Sequence, residues 1–128
     1  MAITYKQLMD DARRLVPEES VQDVQHRLRK PGGIAKPGGI ALLDVREKEE
    51  YRDGHLDGAI SLPRGFLEMR VEETVPDKAT PIIAYCAGGT RSLIAARTLK
   101  EMGYTNVVSM DGGIRAWREA KYPIEKGK

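Results

Sequence analysis

Residues 81–92, with the sequence PIIAYCAGGTRS, are the stretch from which the organisation of the chain is inferred. The segment 81–85 is short and apolar, which predicts a buried β-strand. The segment 93–102 is typical of a helix, and Gly103 is placed to end it. Cys86, the only cysteine, therefore lies where a strand ends and a glycine-rich turn leads into a helix. Backbone N–H groups converge at such a turn and the helix dipole favours negative charge, so the setting stabilises a thiolate or an anionic sulfur attached to it.

The composition is that of one globular domain, because the chain has 128 residues, of which 41% are hydrophobic and 31% are charged. The formal net charge of +2 is too small to argue for binding to nucleic acid. No run of about 18 apolar residues is present, so neither a membrane span nor a membrane partner is expected. The first residues lack the apolar core of a signal peptide, and a lone cysteine suits a reducing compartment; together these features predict a cytoplasmic protein. No pattern in the sequence calls for a metal or a cofactor.

Two helices are predicted before the first long strand. Thr4 and Gln7 form a capping-box pattern at the start of the first helix, whose apolar residues recur at helical spacing. Ser20 is placed to cap the second helix. We therefore divide the chain into an N-terminal helical extension, residues 1–16, and a main domain, residues 17–128.

A hexapeptide is repeated without change, first as Lys30–Ala35 and then as Lys36–Ala41. Two copies of six residues are too few for a repeat architecture, and Pro-Gly-Gly is typical of turns. We interpret the repeat as a local duplication in a surface loop, of natural or engineered origin. Either copy is able to lead into the strand that follows.

Asp44 stands near the end of an otherwise apolar strand, residues 40–45, and a buried carboxylate there needs hydrogen-bond donors. Arg46 is a candidate partner. A turn then carries His55, which has two possible roles. It is either a general base for the thiol or a residue whose ring nitrogens hold the turn together.

Strands and helices alternate along the whole main domain. This order predicts an α/β fold with a mainly parallel sheet, whose sites lie at the carboxyl ends of the strands. Asp44 and Cys86 both lie at such ends and are expected to share one edge of the sheet. The predicted strands are 40–45, 59–62, 81–85 and 106–110, and the predicted helices between and after them are 47–53, 64–74, 93–102 and 114–120.

Several stretches, taken together and in this order, resemble the rhodanese family. The tripeptide DVR at 44–46, followed by EYRDGHLDGAISLP at 50–63, is similar to the first signature of that family. The segment 85–92 resembles its active-site loop, and MDGGIRAW at 110–117 resembles its closing Gly-Gly and Trp signature. The resemblance covers roughly residues 18–128, so the first helix lies outside it.

The resemblance implies a single-domain rhodanese fold, in which a mainly parallel sheet of about five strands lies between helices. It also implies a sulfurtransferase. Cys86 would take the outer sulfur of a donor such as thiosulfate, become a persulfide, and pass that sulfur to cyanide or a thiol. Such a reaction has two steps and a covalent intermediate.

The same resemblance assigns the site. Cys86 is the catalytic residue, and Asp44, Arg46 and His55 are supporting residues. Arg91 has two roles open to it, because it would either bind a dianionic donor or pair with a carboxylate, such as Asp44 or Glu50, and so pin the loop. The residues expected to bind substrate and persulfide are Ala87, Gly88, Gly89, Thr90, Arg91 and Ser92.

Three alternatives remain beside this interpretation. Phosphatases of the Cdc25 type share the fold and would use Cys86 and Arg91, but their loop is one residue longer than the six counted from Cys86 to Arg91 here. Some rhodanese-like domains are non-catalytic binding or regulatory modules that lack the cysteine. In the third alternative the chemistry is unchanged, but the sulfur acceptor is a protein in a biosynthetic pathway.

Overall fold

Five strands and six α-helices form in the computed structural model, which describes residues 2–30 and 39–127. All strand pairs are parallel, and the order across the sheet is β1-β5-β4-β2-β3. This confirms the predicted α/β fold with a parallel sheet between helices. The strands are β1 Glu18–Glu19, β2 Ala41–Asp44, β3 Ile60–Ser61, β4 Ile82–Tyr85 and β5 Val107–Met110. The helices are α1 Tyr5–Leu15, α2 Val21–Arg29, α3 Lys48–Asp53, α4 Leu67–Thr74, α5 Thr90–Glu101 and α6 Gly113–Glu119, with a 3₁₀ helix, Arg64–Phe66, before α4.

The strand that precedes the cysteine is the central strand of the sheet. β4 pairs with β2 on one side and with β5 on the other. Asp44 lies opposite Tyr85, and Ser109 lies opposite Ala84. Because the strands are parallel, their carboxyl ends meet at one edge, and Cys86 follows the middle of that edge.

β1 is absent from the strands predicted by sequence pattern. It consists of two glutamates, Glu18 and Glu19, which lack the apolar alternation by which strands are identified. β1 pairs with β5 through backbone hydrogen bonds. Ser109 N–H donates to Pro17 O at 3.0 Å, and Asp111 N–H donates to Glu19 O at 2.8 Å. A short charged strand at the sheet edge depends on this neighbour rather than on its own sequence.

Each face of the sheet is covered by its own hydrophobic core. Successive strand residues point to opposite faces, so Leu43 and Ala84 pack with α1, α4 and α5, while Leu42 and Ile83 pack with α2, α3 and α6. Trp117 lies in the second core, and its indole N–H donates to Pro123 O at 2.9 Å. Both faces being buried explains why β2 and β4 are apolar throughout except at Asp44.

The first helix contributes to the core of the main domain. Met9, Ala12 and Val16 belong to the same cluster as β2 and β4, and Asp11 forms an ion pair with Arg97 of α5 at 2.8 Å. The division into an extension, residues 1–16, and a domain, residues 17–128, stays a prediction about which part folds by itself.

The second hexapeptide copy is the one that enters the sheet. Ile40 and Ala41 are buried, and Ala41 is the first residue of β2. Most of the first copy, and the start of the second, fall within residues 31–38, which lie outside the described residues. None of the helices in the described part of the chain is long and apolar enough to cross a membrane.

Candidate active site

The turn between β4 and α5 is shorter than the sequence pattern predicted. α5 begins at Thr90, three residues before the expected start at Leu93, so Arg91 and Ser92 lie in its first helical turn. Gly89 is the N-cap residue and has a φ of 105°, a left-handed conformation that favours glycine. A Cβ atom on Gly89 would also lie 3.2 Å from Gly112 N, so the turn needs glycine for space as well.

The sulfur of Cys86 is surrounded by hydrogen-bond donors from this turn. The residue is 1% exposed. Gly89 N–H donates to Sγ at 3.1 Å, Ser92 N–H donates to it at 3.4 Å, and Ser92 Oγ lies 3.5 Å from it. Donors that converge at the start of a helix stabilise negative charge on sulfur. In the described part of the chain, the backbone N–H groups that point at Sγ come from Gly89 and Ser92.

Ser109 extends this arrangement from the neighbouring strand. Its Oγ lies 2.8 Å from Ser92 Oγ, and both side chains are fully buried. Ser109 is not among the site residues predicted from the sequence. The available signal was a polar residue inside the otherwise apolar β5, which is the same signal that identified Asp44 in β2.

The start of α6 holds the first part of the loop. Ile114 N–H donates to Cys86 O at 2.9 Å, and Arg115 N–H donates to Ala87 O at 3.1 Å. A Cβ atom on Gly113 would lie 2.5 Å from both carbonyl oxygens, so only glycine permits this approach. The Gly-Gly pair of the closing signature therefore acts on the active-site loop itself.

Arg91 is paired with a carboxylate and lies against α3. Its Nη1 and Nη2 donate to the two carboxylate oxygens of Glu50 at 2.9 and 3.1 Å. The hydrogen bond from Arg91 holds the pKa of Glu50 below its usual value, and the same bond raises the pKa of Arg91. Of the two possibilities left open for Arg91, the structure shows the contact with a carboxylate, and the partner is Glu50.

Asp44 is engaged by Arg46 and is therefore not the partner of Arg91. Asp44 Oδ1 accepts from Arg46 N–H and Nε at 3.0 Å each, and Oδ2 accepts from Nη2 at 2.7 Å. Arg46 Nη2 also donates to Gly54 O at 2.6 Å. Both side chains are buried, and through the hydrogen bond to Gly54 O the pair connects the end of β2 to the end of α3.

His55 contacts Tyr51 of α3 and the backbone of Glu125 rather than the sulfur of Cys86. Its Nδ1 lies 2.8 Å from Tyr51 O, and its ring stacks on the ring of Tyr51 at 3.7 Å. Its backbone exchanges two hydrogen bonds of 2.8 Å with Glu125. Within the described residues, none of its hydrogen bonds reaches Cys86. These contacts favour the turn-holding role over the role of general base.

The remaining loop residues lie toward solvent. Gly88 and Thr90 are exposed, and Ala87 is half-buried. The guanidinium of the exposed Arg115 lies beside Gly88, where a Cβ atom would be 2.9 Å from Nη1. In the ranges 2–30 and 39–127, no group of three or more His, Cys, Asp or Glu side chains is placed to hold a metal ion.

Comparisons with known proteins match the chain to a family model and to curated relatives. The family model for the rhodanese-like domain matches residues 20–120. YrkF of Bacillus subtilis, named as a candidate sulfur carrier protein, is 41% identical over 102 residues, which make up 80% of this chain and 51% of YrkF. The thiosulfate sulfurtransferase GlpE of Shewanella oneidensis is 35% identical over 81 residues, which make up 63% of this chain and 78% of GlpE. The chain spans about half the length of several curated relatives that it matches, YrkF among them.

A solved structure from Rhodopseudomonas palustris matches almost the whole chain. It has a TM-score of 0.84 and 31% sequence identity, and it covers 98% of this chain and 96% of that chain. That protein is described as one of unknown function and a possible tyrosine phosphatase. The match includes the region of α1, which lies outside the family model.

Proposed function

The chain belongs to the rhodanese-like domain family, and from that premise we propose that it is a sulfurtransferase that carries sulfur on Cys86. The observation that carries the proposal is the set of donors around Sγ, in which Gly89 N–H and Ser92 N–H point at a buried thiol. These donors suit a thiolate, and they equally suit the anionic persulfide that replaces it. The same groups therefore serve both states of a two-step reaction.

In the first step, the thiolate of Cys86 attacks the outer sulfur of thiosulfate. A new S–S bond forms, the S–S bond of the donor breaks, and its electron pair leaves with sulfite. Cys86 becomes a persulfide, and the total charge of the reactants is conserved. In the second step, cyanide or a thiolate attacks the outer sulfur of the persulfide, and the electron pair of the broken bond restores the Cys86 thiolate.

No residue is needed as a general base when the thiol is already ionised. This fits the contacts of His55, which are made with Tyr51 and Glu125. Asp44 and Arg46 are proposed to position the carboxyl end of β2 and not to touch the substrate. A single free cysteine that must be reduced to react also favours a reducing compartment such as the cytoplasm.

A phosphatase is the second candidate, supported by the description of the Rhodopseudomonas palustris neighbour. It would use Cys86 as nucleophile toward a phosphate ester. Two features favour sulfur instead. The loop from Cys86 to Arg91 has six residues, which suits sulfurtransferases, and Arg91 is occupied by Glu50.

The acceptor of the sulfur is proposed to be a small thiol, cyanide or a protein. The name of YrkF supports a protein acceptor for the same chemistry. A non-catalytic module is disfavoured because Cys86 is present and is surrounded by donors.

One experiment separates these functions. The protein is incubated with thiosulfate and cyanide, and in parallel with an aryl phosphate, and thiocyanate and phosphate are measured. Thiocyanate formation is expected, together with the gain of one sulfur atom on the intact chain after thiosulfate alone. The Cys86→Ser variant should fold, as judged by circular dichroism, and should give neither thiocyanate nor the adduct. Phosphate release without thiocyanate would contradict the sulfurtransferase and establish the phosphatase.

A further inference from the structure

We propose that Arg115 of α6, rather than Arg91 of the loop, binds the anionic oxygens of the sulfur donor. The inference rests on the proposed sulfurtransferase function and names the chemistry of its donor. That donor is a thiosulfate-type anion, in which the transferred sulfur is attached to an oxidised, negatively charged sulfur.

The first observation is that Arg91 is already engaged. Both of its terminal nitrogens donate to the carboxylate of Glu50, in the forked geometry that pairs best with a carboxylate. A donor anion would have to replace Glu50 to reach this guanidinium. The positive charge of Arg91 is thus largely balanced before any substrate binds.

The second observation is the position of Arg115. Its backbone N–H donates to Ala87 O at 3.1 Å, so the start of its side chain is held against the loop. Its guanidinium reaches Gly88, where Nη1 lies 2.9 Å from the place of a Cβ atom. Gly88 is exposed, so this cation lies on the solvent side of the loop that begins at Cys86.

The third observation is that this guanidinium has no anionic partner among the residues the structure describes. Arg46, Arg91 and Arg97 each pair with a carboxylate at 2.9 Å or less. Arg115 makes no ion pair or side-chain hydrogen bond with a described residue, although it is fixed to the loop through its backbone. Its donors are available to a ligand.

The chemistry of the first step creates the need for such a cation. The attacking thiolate carries one negative charge and thiosulfate carries two, so the reactants repel each other. The leaving sulfite carries two negative charges on three oxygens. A planar guanidinium binds such an oxyanion through two parallel hydrogen bonds, whereas the backbone donors of Gly89 and Ser92 act on the cysteine sulfur.

The second step makes a different demand. Cyanide and simple thiols carry no sulfonate oxygens, so Arg115 has no comparable group to bind. The proposal therefore predicts that Arg115 acts in the loading half of the reaction and not in the discharge half. A structural role for Arg115 would affect both halves.

The test measures the two halves separately in full-length Arg115→Ala. Loading of Cys86 by thiosulfate is followed by intact mass after rapid quenching. Discharge is followed by thiocyanate release from the persulfide form, prepared at saturating thiosulfate. We expect loading at low thiosulfate to slow by about tenfold to a hundredfold, as for the loss of one charged hydrogen-bond donor, with discharge unchanged within twofold. Arg115→Lys should recover part of the loading rate, because it keeps the charge but not the fork.

Two further variants control the interpretation. Arg118→Ala removes the same charge from the same helix, but its guanidinium lies against Gly54 and not against the loop, so loading should be unchanged. Gly88→Ala places a methyl group 2.9 Å from Arg115 Nη1 and should displace the guanidinium, so it should slow loading as Arg115→Ala does.

The outcomes distinguish this inference from the function on which it rests. Equal loading of wild type and Arg115→Ala would overturn the role of Arg115 and leave the sulfurtransferase intact. Equal slowing of loading and discharge would also overturn it. A wild-type chain that gains no sulfur from thiosulfate would overturn the proposed function, and this inference with it.

Discussion

Cys86 combines almost complete burial with two backbone N–H donors and a hydroxyl group beside its sulfur, which is an unusual state for a thiol. A buried structural cysteine behaves as a small hydrophobic residue and needs no donors. Here Gly89 N–H, Ser92 N–H and the Ser92 hydroxyl group are all within 3.5 Å of Sγ. The fully buried Ser109 orients the Ser92 hydroxyl from β5. The serine pair is therefore the part of the site that we expect to tune the sulfur anion.

Replacement of either serine tests this pair. Ser92→Ala removes a hydroxyl group that accepts from the Cys86 thiol and is able to donate to the thiolate once the thiol has lost its proton. We expect loading by thiosulfate to fall about tenfold, the effect of one hydrogen bond to a charged group. Ser109→Ala leaves the Ser92 hydroxyl and both backbone donors in place, so its loading rate should fall less. It should still lower the free energy of unfolding by about 1–3 kcal/mol, because a buried hydroxyl loses its partner.

Loading rates from quenched intact-mass measurements and urea unfolding curves check both effects. Ser61→Ala, at a half-buried position in edge strand β3, is the matched control and should change neither. A larger loss of loading rate in Ser109→Ala than in Ser92→Ala would contradict the assigned roles.

At the scale of elements, helices α3 and α6 hold the loop from two sides. Glu50 in the first turn of α3 binds Arg91, and the first turn of α6 binds the carbonyl oxygens of Cys86 and Ala87. α3 is itself tied to β2, because Arg46 joins Asp44 to Gly54 O. Contacts with α3 and α6 thus position the loop, whereas Gly89 within the loop permits the backbone conformation that these contacts require.

The contact between α3 and the loop predicts a pH dependence. The pKa of Glu50 in the folded state is below its ordinary value of 4.5, so its pairing with Arg91 stabilises the fold above that pH. This stabilisation is lost as the pH falls through the lowered pKa. At pH 7 the free energy of unfolding of the wild type should exceed that of Glu50→Gln by about 0.5–1 kcal/mol. The difference is small because the two side chains are more than one-third exposed, and water screens their attraction.

Urea unfolding of both proteins between about pH 7 and pH 3 measures this difference, which should shrink toward zero at the acidic end. The amide side chain introduced by Glu50→Gln retains an oxygen that is able to accept from Glu47 N–H, so the helix cap is kept. Glu49→Gln makes the same charge change at an exposed neighbouring position and should show no such trend. A difference that is constant with pH would contradict the ion-pair explanation.

At the scale of the whole molecule, the sheet brings together residues that are far apart in the chain. The loop that begins at Cys86 contacts α3, β5 and α6, and α1 completes the core on one face of the sheet. Of the duplicated hexapeptide, the structure describes Lys30, which follows α2, and residues 39–41, of which Ala41 begins β2. None of these described residues contacts Cys86 through a hydrogen bond, so we conclude that the site does not depend on the number of copies.

Removal of one hexapeptide copy tests that conclusion. Deleting Lys30–Ala35 yields the same sequence as deleting Lys36–Ala41, because the copies are identical, and an Ile-Ala pair still precedes Leu42. Changes in loop length cost little, about 0.6 kcal/mol for each doubling, so the free energy of unfolding should change by less than about 1 kcal/mol. The loading of Cys86 should be unchanged.

Urea unfolding and thiosulfate loading of the deletion variant give the comparison. Ile40→Ala, which truncates a buried side chain of the retained strand, should cost about 2–5 kcal/mol and serves as the control. A deletion that destabilises as much as Ile40→Ala would show that the first copy contributes to the core.

The sequence by itself determined the class of fold and the position of the nucleophile. Apolar segments and helical periodicity report burial along the chain, and they located four of the five strands in the described residues. Gly88 and Gly89 after an apolar strand placed Cys86 at a turn, and the signature order identified the family. These features are local, so their physical cause is present in neighbouring residues.

The tertiary structure alone decided the partners. Glu50 and Arg91 are 41 residues apart in the chain, and Ser92 and Ser109 are 17 apart, so no local pattern shows that they meet. β1 exists because β5 offers it hydrogen bonds. The sequence left Arg91 able either to bind a donor or to pair with a carboxylate, and the fold brings Glu50 within hydrogen-bond distance of its guanidinium. The same fold places the guanidinium of Arg115 beside the exposed Gly88. The physical reason is that a guanidinium binds whichever anion the fold places within its reach.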